Sequence, residues 1–90
     1  MQKQVEDYLD YLATEKGSSD NTLAAYRNDL VQFSQYIIEQ GHYLLWSQVD
    51  QNAIITYILH MKELEYASST VARKIAAIKS FFHYLHAENT

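Results

Sequence analysis

Apolar residues recur along this chain at helical spacing, in four separate stretches. From Ser68 to Leu85 they fall at Val71, Ile75, Ile78, Phe82 and Leu85, with steps of 4, 3, 4 and 3. At about 100° per residue such positions stack on one side of an α-helix. The opposite side carries Ser69, Arg73 and Ser80, with Ala76 and Ala77 beside them and Lys74 and Lys79 on the flanks. Earlier in the chain Leu23, Tyr26, Leu30, Phe33 and Ile37 repeat the pattern with steps of 3, 4, 3 and 4, and predict a helix over residues 21–39. Val5, Tyr8, Leu9 and Leu12 give a first helix over residues 3–15, with Glu6, Asp7 and Asp10 pointing away. Ile54, Tyr57, Ile58, Met61 and Leu64 give a third helix from Asp50, its N-cap, to about Glu65.

The segments between the helices carry stop and start signals. Gly17 suits the left-handed residue that ends a helix, and Gly41 marks the next stop. Ser18, Ser19, Asp20 and Asn21 form a polar turn of N-capping residues, and Ser68 or Ser69 is expected to cap the fourth helix. Leu44, Leu45 and Trp46 are too apolar for a free loop and are expected to plug the core. No stretch alternates as a strand would. The expected fold is all-α: four helices joined by short connections into two hairpins.

Ninety residues make one domain with a modest core, and 48% hydrophobic residues is too many for intrinsic disorder. The chain has no cysteine, so disulfides and thiolate zinc sites are excluded. No apolar run has membrane-spanning length, and no membrane partner is expected. A cytoplasmic location fits this composition. The eight tyrosines fall mainly at core or core-edge spacings and read as packing groups with a polar tip.

No catalytic constellation can be assembled, so the chain itself is not expected to be an enzyme. There is no glycine-rich phosphate loop, and the serines sit where helix caps belong. His83 and His86 lie at i, i+3, but no third ligand apart from Glu88 is placed to join them, so no metal and no cofactor is expected.

Charge changes the picture. The net charge of −4 is unusual for a free-standing nucleic-acid binder. It is, however, polarised along the chain. Residues 1–20 hold five acids against Lys3 and Lys16, whereas residues 66–87 hold Arg73, Lys74 and Lys79 against none. An acid-free helix face with small residues and cations can lie against a phosphate backbone or enter a major groove, although a solvated helix exterior can have the same composition.

Two segments, taken together, resemble a known family. One is Ser19-Asp20-Asn21-Thr22-Leu23-Ala24-Ala25-Tyr26-Arg27-Asn28-Asp29-Leu30, followed by Phe33 and Tyr36-Ile37. The other runs from Ser68 to Leu85, with Thr70, Arg73-Lys74-Ile75, Ala77-Ile78-Lys79 and Phe81-Phe82 at its centre. They resemble the N-terminal, core-binding domain of tyrosine recombinases, the phage-integrase and Xer group, over nearly the whole chain. The resemblance implies a SAM-like fold of two hairpins packed nearly crosswise. It implies a core-binding domain at residues 1–87 and, at 88–90, the start of a linker to a catalytic domain. That other domain would carry the catalytic Arg, Lys, His and Tyr and close a clamp around DNA. The implied function is DNA binding by a site-specific recombinase for integration or recombination, with double-stranded DNA and other recombinase protomers as partners. Helices two and four would approach the major groove, with Asn21, Thr22, Arg27, Ser69, Thr70, Arg73, Lys74 and Lys79 as contact residues. Asp29 is expected to be structural, orienting Arg27 or a neighbouring helix. The acidic first helix would face away from DNA, towards other protomers. The competing reading is a SAM-like protein-interaction module that binds no DNA, with Ile55 and Phe81 as candidates for an exposed apolar patch.

Overall fold

The computed structural model describes residues 1–88. Four α-helices and one short 3-10 turn account for the fold: α1 Gln2–Glu15, α2 Asp20–Gly41, the turn Trp46–Gln48, α3 Gln51–Glu63 and α4 Ser68–Ala87. Among the described residues there is no strand, and no helix is long and apolar enough to cross a membrane. Of the expected linker at 88–90, residues 89 and 90 lie outside the described residues.

Some helix ends follow from their local sequence. Ser19 caps α2, its hydroxyl oxygen accepting from the Thr22 N–H at 3.2 Å. Asp50 caps α3 through the Ala53 N–H at 3.0 Å. Gly17 takes the left-handed conformation after α1 (φ 62°), as its lack of a Cβ allows. At the other two exits non-glycine residues do so. Gly41 is the last helical residue, and His42 turns the chain with φ 57°. Glu65 turns it between α3 and α4 with φ 61°, and α3 stops at Glu63 rather than Glu65. α4 begins after Ala67 without any side-chain cap, so neither Ser68 nor Ser69 plays the expected capping role.

α2 and α4 form the centre. Each packs against the other three helices, while α1 and α3 do not touch. The core is filled by Val5, Tyr8, Leu9 and Leu12 from α1, Leu30, Phe33 and Ile37 from α2, Tyr57 and Met61 from α3, and Ile78, Phe81 and Leu85 from α4. Trp46 joins them, its ring 4.8 Å from Phe81 and 6.1 Å from Phe33 between centroids. Its indole N–H donates to the Met1 carbonyl at 2.9 Å. Leu44 and Leu45 do not plug the core: they are 72% and 58% exposed. The Gln48 side chain accepts from both their N–H groups, at 3.0 and 3.1 Å, and this turn directs Trp46 inward and the two leucines outward.

Two other expectations change. Leu64 is exposed because α3 has already ended. Phe81, a candidate for an exposed patch, is fully buried between Tyr8 of α1 and Trp46. Ile55 remains exposed.

Candidate nucleic-acid interface

The inner face of α4 is broader than the expected stripe and turned by about one residue. Val71, Lys74, Ala77, Ile78, Phe81 and Leu85 are buried, and Ile75 and Phe82 are half-buried. The reason is that α4 packs against α1, α2 and α3 at once. Towards α1, Ser80 and the Tyr8 hydroxyl lie 2.6 Å apart in a hydrogen bond, so Ser80 is tied to a neighbour rather than facing solvent freely. Towards α2, Lys74 is drawn into the interior by a carboxylate.

That carboxylate is Asp29, which is fully buried on α2. Lys74 Nζ donates to its Oδ1 at 2.9 Å and also to the Gln32 side-chain oxygen. Arg73 reaches the same group from outside. Its Nη2 donates to Oδ1 at 2.9 Å and its Nε to Oδ2 at 3.1 Å, a two-pronged contact along one edge of the guanidinium. The Lys74 side chain is 4% exposed and the Arg73 side chain 46%. Asp29 thus orients Arg73 and Lys74, not Arg27. Hydrogen bonding to Asp29, with its charge, holds the Arg73 pKa above the ordinary arginine value.

The remaining expected contact residues occupy the surface of α2 and α4. Asn21 and Thr22 are exposed in the first turn of α2, and Thr22 also accepts a hydrogen bond at its hydroxyl from Ser19 at 3.0 Å. Ser69 is exposed and Thr70 half-buried in the uncapped first turn of α4. Ser69 and Arg73 are one turn apart and share a face. Lys79 is exposed and makes no ion pair among the described residues. Arg27 is exposed but engaged: its Nη1 donates to a Glu6 carboxylate oxygen from α1. The acidic side of α1 therefore does not wholly face away from this surface. That hydrogen bond from Arg27 holds the Glu6 pKa below its ordinary value.

The surface so built is a pair of helix N-terminal turns with exposed hydroxyls, an anchored arginine and a free lysine. Such groups suit phosphate and base-edge contacts and supply no nucleophile with a base. No three His, Cys, Asp or Glu side chains gather to hold a metal ion among the described residues.

Residues 5–89 match the family model for the phage integrase N-terminal SAM-like domain. The chain belongs to this family. Its curated relatives include tyrosine recombinase XerC of Herpetosiphon aurantiacus, 47% identical over 90 residues, which cover all of this chain and 29% of that protein. XerC of Roseiflexus castenholzii is 45% identical over 86 residues, 94% of this chain and 27% of that protein. XerD of Oceanobacillus iheyensis is 31% identical over 81 residues, 90% of this chain and 27% of that protein. The chain thus spans little more than a quarter of the length of these relatives. No solved structure matches it.

Among the expected contact residues of this SAM-like domain, Lys74 is the one the structure encloses. Val71, Lys74, Ile78, Phe81 and Leu85 are spaced 3, 4, 3 and 4, as regular a helical stripe as the all-apolar alternative. Spacing alone does not choose between the two stripes; the buried carboxylate of Asp29 on another helix makes a lysine acceptable there.

Proposed function

We propose that this SAM-like domain is the DNA-binding N-terminal part of a cytoplasmic site-specific tyrosine recombinase. In this reading it grips duplex DNA with the exposed sides of α2 and α4. Residues outside this chain provide the catalytic groups, and other recombinase protomers bind alongside. Membership of the phage-integrase family and the XerC and XerD relatives support the recombinase reading.

One observation in the domain itself carries the DNA-binding reading. Two cations share one buried carboxylate, so the Asp29 cluster keeps a surplus positive charge. The exposed member of that cluster is Arg73, on the same face of α4 as Ser69. Asn21, Thr22, Arg27, Ser69, Thr70, Arg73 and Lys79 are the proposed contact residues. Lys74 acts from behind, through Asp29, since its ammonium is enclosed. With a net charge of −4, the domain alone should bind weakly and lose affinity steeply with salt.

The test is a titration of the ¹⁵N-labelled domain with a short duplex at low salt, repeated with added salt. Amide shifts gathered at residues 21–28 and 68–79 that fade with salt are expected. Shifts gathered instead around the exposed Ile55 and Leu59 of α3, or none on adding DNA, would favour the protein-interaction reading.

A further inference from the structure

We infer that Asp29 is a positioning residue that fixes the Arg73 guanidinium for reading a guanine edge in the major groove, rather than for neutralising a phosphate. The inference rests on the DNA-binding reading above and specifies what its central arginine does.

The argument is geometric. A guanidinium has five N–H donors in a rigid plane. Asp29 takes two of them, one from Nε and one from Nη2, along the side edge of the fork. Both N–H groups of Nη1 and the second of Nη2 make no hydrogen bond among the described residues. The second Nη2–H and one Nη1–H form the end edge of the same plane, and that pair matches the O6 and N7 acceptors of guanine. A phosphate contact needs a positive charge within reach but little directional control. A base contact needs the fork held in one plane and one direction. Here that control is built in three layers. Lys74 stabilises the buried carboxylate from beneath, Gln32 holds Lys74, and the carboxylate holds Arg73. Because Lys74 already balances Asp29, the carboxylate can orient Arg73 without cancelling the cluster's outward charge. By contrast, Arg27 shares its carboxylate, Glu6, with no second cation, and Lys79 has no orienting partner among the described residues. Both therefore have the character of phosphate contacts.

The test selects duplexes bound by this chain at low salt from a pool with a randomised central segment. A selected duplex is then remade with each guanine in turn as 7-deazaguanine, which keeps base pairing and lacks N7. One such replacement is expected to weaken wild-type binding roughly 5- to 100-fold. Arg73→Ala should bind more weakly overall and be indifferent to that same replacement. Arg73→Lys keeps the charge without the fork, and should retain the salt dependence while losing the sensitivity. The paired variant Asp29→Asn with Lys74→Met, its folding checked by thermal unfolding, should keep the salt dependence and lose most of the sensitivity. Wild-type binding that falls with salt but ignores every 7-deazaguanine would overturn the base-reading role and leave DNA binding intact. Sensitivity that survives in Arg73→Lys, or in the folded paired variant, would overturn the positioning role. Failure of the wild type to bind any duplex at low salt would overturn both readings.

Discussion

Asp29 and Arg73, 44 residues apart in sequence, form a two-pronged ion pair at 2.9 and 3.1 Å in which the acid is fully buried and the base half in solvent. With Lys74 completing the cluster, this joins the two central helices by charge as well as by packing. A buried ion pair is a weak source of net stability, because desolvation offsets most of the attraction. Breaking it from one side is another matter. Asp29→Ala leaves the Lys74 ammonium enclosed without its partner and is expected to destabilise the domain by about 3–5 kcal/mol. Lys74→Met should cost less, since Arg73 still serves the carboxylate. Asp29→Asn with Lys74→Met should recover most of the loss. Urea midpoints of the three variants check this ordering, and equal losses for Asp29→Ala and the paired variant would contradict it.

The Tyr8 hydroxyl and Ser80 hold α1 to α4 through one hydrogen bond between side chains. Tyr8→Phe keeps the ring that packs 5.4 Å from Phe81 and removes only that bond. A loss of about 1 kcal/mol is expected. Phe81→Ala, which empties a fully buried site, should cost about 3–5 kcal/mol. Chemical denaturation of both variants separates the polar from the packing contribution.

Burial pushes the Tyr57 hydroxyl up to about 12 from its ordinary 10.0. The sign follows from proton linkage. The unfolded chain releases this proton at lower pH than the folded one, so the stability is fully present below pH 10 and is lost as pH rises towards 12. The loss is on the order of 2–3 kcal/mol. Alkaline unfolding followed by tyrosinate absorbance should therefore begin between these limits, and Tyr57→Phe should move it upward. An unchanged alkaline midpoint in that variant would place the titrating group elsewhere.

In the proposed mode, Glu6 and the DNA compete for Arg27. Their pair is exposed and contributes about 0–1 kcal/mol to stability. Glu6 has its pKa lowered by the hydrogen bond from Arg27, so that contribution is present above the ordinary value of 4.5 and is lost as pH falls through the depressed one. At neutral pH the acid competes with the phosphate. Glu6→Gln should therefore tighten duplex binding a few-fold at low salt without lowering the melting temperature noticeably. Lys79→Ala should weaken binding evenly across duplex sequences and reduce the salt slope by about one. Fluorescence anisotropy over a salt series measures both.

The helices were legible because their stripes are regular, and α2 is the clearest case. Leu30, Phe33 and Ile37 of its expected stripe are buried, with Leu23 and Tyr26 half-buried against the core. Asp50 and Ser19 cap as their position suggests. What the chain concealed is tertiary. Nothing local distinguishes Lys74 from a surface lysine until Asp29 is brought opposite, and Phe81 looks like a rim residue until Tyr8 and Trp46 cover it. The same holds for the arginines. Arg27 and Arg73 both read as outward cations, yet one is engaged by an exposed acid and the other is oriented by a buried one. Leu44 and Leu45 were misplaced for a local reason, the side chain of Gln48 folding back on their amides.

Tyr8 lies 72 residues from its partner Ser80, and Met1 lies 45 from the indole of Trp46. During synthesis the first helix therefore emerges long before the surface that covers it. A nascent chain that has not yet released α4 holds Val5, Tyr8, Leu9 and Leu12 without their full enclosure, and α2 lacks the cation that balances Asp29. The domain should consequently acquire protease resistance in one late step, when the last helix clears the ribosome, rather than hairpin by hairpin.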